Sequence, residues 1–164
     1  MHAGFGPIRA SQTTGSMVSV INKDDVTHWL TGTAAPCTSV FKPVWMDSGI
    51  PAGVKTPGKS FDASVMWWRH EALHREIIKD YPTRIKVIDR ELQDLQDGFL
   101  KQECDIRKHL KGKRAEFSEA CFTAVEKAES VWLEKARLTP VNHKNHFYYT
   151  MAWRKLNQQA GIPE

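Results

Sequence analysis

The 164-residue chain is long enough for one domain with a real core, since 41% of its residues are hydrophobic. Its net charge of +4 is spread among interspersed acids and bases. The longest basic cluster, KHLKGKR at residues 108–114, reads as a solvated helix end rather than a nucleic-acid patch. Three cysteines, Cys37, Cys104 and Cys121, show no CxxC spacing and are odd in number. That argues against a disulfide framework and favours a reducing, cytoplasmic setting. No apolar run approaches the length of a membrane span.

Residues 1–60 read as antiparallel strands and loops, and residues 61–164 as a helical region packing on that sheet. The opening MHAGFGPIRASQTTGS lacks a GxGxxG or P-loop pattern, so it carries no phosphate-binding signal. TTGSMVSVI (13–21) has β composition, NKDD (22–25) is a polar turn, and VTHWLT (26–31) alternates again, which predicts a hairpin. A third strand is expected within SVFKPVW (39–45), and Pro43 places it at an edge or a bulge. Residues 46–60 form a loop with several breakers.

Ser60 is the expected cap of a first helix starting near Phe61, with Val65, Trp68, Ala72, Leu73 and Ile77 inward. Pro82 suits the opening of the next helix. There Ile85, Ile88, Leu92, Leu95 and Phe99 make an apolar stripe at spacings of three and four. Gly112 ends that run. A further helix carries Phe117, Cys121, Ala124, Ala128 and Trp132. A last one, near residues 146–159, turns Phe147, Met151 and Trp153 or Leu156 inward. Three strands leave edges that need protection, from another chain or from a further part of this one.

Two stretches suggest chemistry. HEALH (70–74) matches the HExxH zinc motif, with His70 and His74 as ligands, Glu71 as base and Glu91 as a possible third ligand. The competing reading is a mixed-charge helix with two exposed histidines. TGTAAPCTSVFKP (31–43) holds Cys37 among hydroxyls. A nucleophilic thiol there needs a base, and His28 is the nearest histidine able to approach across the hairpin. A buried, inert Cys37 is the alternative.

The blocks MHAGFGPIRASQTTGSMVSV, HWLTGTAAPCTSVFKPVW and MWWRHEALHR together resemble the C69 dipeptidase/secernin family, most strongly before residue 90. The resemblance implies an α+β fold: part of the αββα sandwich of N-terminal nucleophile hydrolases, a short antiparallel sheet of about three strands followed by a helical C-terminal region. It implies amide hydrolysis of a peptide-like small substrate by a processed N-terminal cysteine. The free α-amino group serves as base, its pKa lying near neutrality at roughly 7.7–8.0. No cofactor is implied.

In the family, that cysteine lies upstream of the block that begins this sequence. The chain therefore corresponds to a C-terminal portion without its nucleophile, expected to be inactive alone. It would work as a homo-oligomer or by pairing with a chain that supplies the N-terminal part. Substrate contacts are expected from Thr13, Thr14, Thr31, Thr33, Thr38, Ser39 and Lys42, with Lys42 holding a carboxylate. Against this stands the reading that the hydroxyls satisfy turn backbone and Lys42 points to solvent. Two other functions remain open at this point: a stand-alone interaction domain, and a small zinc peptidase using His70, Glu71 and His74.

Overall fold

A computed structural model describes residues 11–23 and 25–163. The polypeptide is mixed α+β. Its antiparallel sheet has the order β1-β2-β3, formed by Met17–Asn22, Asp25–Leu30 and Lys42–Val44. The hairpin register pairs Met17 with Leu30, Ser19 with His28 and Ile21 with Val26. Pro43 sits opposite Trp29 on the short β3, at the sheet edge where a missing N–H is tolerated. Residues 1–10 of the glycine-rich opening lie outside the described residues. Strand β1 begins at Met17, later than the composition predicts, and Thr13 instead accepts a backbone hydrogen bond from Ala35 N–H.

Four long helices and one single-turn helix follow among the described residues: α1 Met66–Ile77, α2 Tyr81–Arg84, α3 Asp89–His109, α4 Arg114–Leu138 and α5 Phe147–Ala160. Helix α1 starts later than Ser60 suggests. The Asp62 carboxylate accepts from Ser64 N–H at 2.8 Å, and Val65 N–H bonds the Asp62 carbonyl. This Asx turn offers the backbone an alternative to the helix until Val65. Asp80 caps α2 by accepting from Thr83 N–H, and Pro82 lies in its first turn, where no N–H is needed. Gly161 ends α5 in the left-handed conformation at φ 68°.

One main core joins sheet and helices. It holds Trp29, Val40 and Trp45 from the strand half, with Leu73, Ile77, Ile88, Leu92, Phe99, Phe117, Val125 and Trp132 from the helices. The apolar stripe predicted for α3 is the one that packs there. On α5 the expectation fails for Phe147 and Met151, which are exposed, while Trp153 and Ala160 are buried and Tyr149 and Leu156 pack beside Trp153. The inward stripe is 149, 153, 156 and 160, offset from the one the aromatic content suggests.

The two sheet edges differ. The β3 edge is covered by α4, whose Ser118 hydroxyl donates to the Pro43 carbonyl at 2.5 Å. At the other side β1 pairs only with β2 among the described residues. Met17 and Ile21, on one face of β1, are 63% and 77% exposed; Val18 and Val20, on the other, are 55% and 43% exposed. An uncovered apolar edge strand of this kind is a template for further pairing. No helix among the described residues is long and apolar enough to cross a membrane.

Candidate functional site

The segment 31–41 is a folded-in shelf that leads into β3 at Lys42. Gly32 takes φ 59°, a left-handed conformation that calls for glycine, and a Cβ there would lie 3.0 Å from the flexible tip of Met66. Ala35 also adopts a left-handed conformation, at φ 49°, and leads into a 3₁₀ turn at Pro36–Thr38. Thr31 N–H donates to the Ser16 carbonyl, and Ser16 N–H to Thr31 Oγ1 at 2.9 Å, which ties the shelf to the start of β1.

The hydroxyls of the shelf turn inward. Thr31, Thr33, Thr38 and Ser39 are buried, and their side chains bond carbonyls of the same segment. Thr33 Oγ1 and Ser39 Oγ are 2.7 Å apart. Thr13 is half-buried and Thr14 exposed, so the structure gathers five of the seven expected contact residues into one buried network and leaves these two at its margin.

Lys42 does not point to solvent. It is buried, its Nζ donates to the Thr31 and Val40 carbonyls at 2.7 and 2.9 Å, and it stands over the Phe122 ring. Burial lowers its pKa to about 8, against the attraction of Glu129, which raises it. Two carbonyls and one carboxylate thus hold an ammonium inside the core.

His70 of the HEALH motif closes the network. Its Nε2 is 3.0 Å from Ser39 Oγ and 3.2 Å from Thr38 Oγ1, and its Nδ1 is 2.7 Å from Glu129 Oε1. The histidines are not on an exposed face: His70, Glu71 and His74 are all buried. Neither is the motif arranged for zinc. Both ring nitrogens of His70 already meet protein groups. Glu91, the expected third ligand, is held by Trp132 Nε1 and Lys135. No three His, Cys, Asp or Glu side chains converge on a metal position among the described residues. Glu71 instead binds Arg75 Nε at 2.8 Å, and His74 packs edge-on to Trp153.

Hydroxyl, imidazole and carboxylate in the order Ser39, His70, Glu129 have the connectivity of a nucleophile relay. Burial separates this arrangement from a working one. Ser39 is 3% exposed, and its oxygen is already engaged by Thr33 Oγ1 and lies within hydrogen-bond distance of the Ala34 and Ala35 carbonyls. A substrate carbonyl cannot approach it without unpacking the shelf. The network is suited to holding the shelf against α1 and α4.

Neither thiol near this network is activated. Cys37 is exposed, contrary to the expectation of burial, yet local desolvation raises its pKa, more than its hydrogen bond with Tyr81 lowers it. The side-chain hydrogen bond of Cys37 is with Tyr81, while His28 Nδ1 lies 2.9 Å from Ser19 Oγ. Cys121 is buried beside Lys42, and desolvation pushes its pKa up to about 12. A protonated thiol is a poor nucleophile.

Glu129 was not visible as a functional residue from motifs. Its signal is positional: it lies in the stripe Phe117, Cys121, Val125, Trp132 and Ala136 of α4, where an apolar side chain is expected. Arg114 is a second such residue, buried at the start of α4 and paired with Asp25 and Asp47. No protein-family model, no curated protein and no solved structure matches this chain.

Proposed function

We propose that this chain is the C-terminal, recognition-bearing portion of a cysteine amide hydrolase of the C69 dipeptidase kind, catalytically silent without the segment that carries the nucleophile. The observation that carries the reading is the β1 edge, with four apolar side chains exposed on both faces and β2 as its one strand partner among the described residues. A sheet covered by helices at one edge and bare at the other suits one part of a larger layered sandwich. The sequence resemblance supplies the chemistry: an N-terminal cysteine thiolate with its own amine as base. The raised pKa values of Cys37 and Cys121 agree with a nucleophile that comes from elsewhere.

In this reading the 31–41 shelf is a rigid wall beside the substrate, and the His70–Glu129 pair and the Lys42 ammonium keep it rigid. The partner is the strand-rich, nucleophile-bearing part of the enzyme, docked along β1. Assays of the purified chain against a panel of dipeptides, with and without iodoacetamide, test the reading. No turnover is expected. Robust turnover that iodoacetamide abolishes overturns it.

A further inference from the structure

A cavity of about 560 Å³ lies between α1, α5 and the 139–146 connection. It is remote in chemistry from the buried shelf and does not depend on the hydrolase reading. Its size falls within the usual range of small-molecule sites, roughly 300–1,000 Å³. Its walls combine two features. Trp153, Tyr149 and Ile78 supply an apolar surface, and Arg75, Lys79, Lys144 and Arg154 supply positive charge.

The balance of charge is one-sided. Among the described residues Glu76 is the one carboxylate in the lining, and it already binds Arg84 Nη1 at 2.8 Å and Lys79 Nζ at 2.6 Å. Lys144 and Arg154 have no carboxylate partner among the described residues. Arg75 is fixed in place. Its guanidinium lies 6.0 Å from the Trp68 ring and 5.1 Å from the Trp153 ring, with Nε on Glu71 and Nη1 on Asn157 Oδ1. Its Nη2 makes no hydrogen bond to a described residue, so a held cation keeps a donor to offer.

The frame around the cavity is rigid. Asp80 accepts from the backbone N–H groups of Asn142 and His143 at 2.7 and 2.9 Å, and Asn145 Nδ2 donates to the Ile78 carbonyl at 2.6 Å. A preformed apolar cleft in which two cations, Lys144 and Arg154, meet no described carboxylate, and a third, Arg75, keeps a donor beside its Glu71 partner, suits a ligand having one anionic group and a flat apolar body.

We propose that this cavity binds a small aromatic monocarboxylate, its ring against Trp153 and Tyr149 and its carboxylate among Arg75, Lys144 and Arg154. Titration calorimetry of the full chain with 2-naphthoate and with its neutral amide, 2-naphthamide, tests this directly. One equivalent of naphthoate is expected to bind, about tenfold tighter than the amide, as a charge-assisted hydrogen bond predicts. The double variant K144A/R154A, altering two exposed side chains, is expected to weaken naphthoate about tenfold and leave the amide unchanged. Equal affinity for acid and amide overturns the proposal. So does absence of naphthoate binding at about 1 mM, a concentration at which even a millimolar site would be half filled. The acid–amide comparison uses the unaltered chain, so it decides the matter even if the double variant is unstable.

Discussion

His70 Nδ1 lies 2.7 Å from Glu129 Oε1, joining the middle of α1 to the middle of α4 inside the core. The same imidazole reaches Ser39 and Thr38 through Nε2. One side chain therefore clamps two helices and the 31–41 shelf.

Removing either partner leaves the other buried without its hydrogen bond, which costs roughly 1–3 kcal/mol. His70→Ala and Glu129→Ala are each expected to lower unfolding stability by that order in urea titrations. The double variant should cost clearly less than the two single losses added together, because the second removal strands nothing. Ser39→Ala removes one member of a crowded hydroxyl cluster and is expected to cost about 1–2 kcal/mol. Ser39 should also resist fluorophosphonate labelling. Additive losses for His70 and Glu129, or labelling at Ser39, would contradict the clamp.

Lys42 gives the fold a pH dependence. Its pKa is about 8 when folded and ordinarily 10.5. Between those values the unfolded chain binds the extra proton, so stability rises with pH there and is lost as pH falls through 8. The full difference is roughly 3 kcal/mol, from about 1.4 kcal/mol per unit of pKa. Cys121 acts oppositely from pH 9 upward, since its raised pKa keeps it protonated in the folded state alone. Comparing the unaltered chain with Lys42→Met isolates the lysine. The difference in unfolding free energy between them is expected to shift in favour of the unaltered chain from pH 7.5 to pH 9.5. A difference that stays flat across that window refutes the account of Lys42.

Asp80 is the carboxylate that holds the 139–146 connection. Burial on its own would raise its pKa. Hydrogen bonds from His143, Asn142 and Thr83 outweigh that and hold it well below the usual carboxylate range. Its contribution is present above the ordinary carboxylate pKa and lost as pH falls through and below it. Asp80→Asn is expected to flatten the acid limb of the stability profile below about pH 4 and to speed amide exchange at Asn142 and His143. Unchanged exchange at both amides would sink this assignment.

The bare edge of β1 predicts association. The unaltered chain is expected to show a concentration-dependent size in sedimentation velocity. A charge on an apolar edge strand opposes pairing, so Ile21→Lys should shift the chain toward monomer without loss of helical signal. A chain that stays monomeric at all concentrations, with or without the substitution, speaks against an edge built for pairing.

Much of the fold was legible in the sequence. Alternation gave the hairpin, Pro43 marked an edge strand, and spacings of three and four gave the α3 stripe. What failed did so for local reasons. The Asp62 Asx turn delayed α1, and the α5 stripe ran through Tyr149 and Leu156 rather than Phe147 and Met151. The site was harder to read, because pairing across the fold decides it. Segment 31–43 offered hydroxyls and Lys42 either to a substrate or to turn backbone and solvent, and the fold turns the hydroxyls and the lysine inward onto backbone carbonyls. HEALH looked like a metal motif, yet Glu129, more than fifty residues away, takes its first histidine. A polar residue in an apolar helical stripe was the signal for Glu129.

Co-expression tests the central claim most directly: this chain together with the N-terminal segment of a C69 dipeptidase, ended just before the block matching TTGSMVSV, followed by a dipeptide assay of whatever co-purifies. The account predicts a co-purifying pair with dipeptide turnover that iodoacetamide abolishes, and none from this chain alone. Turnover by this chain alone, a pair that co-purifies but stays silent, or two chains that never associate would contradict it.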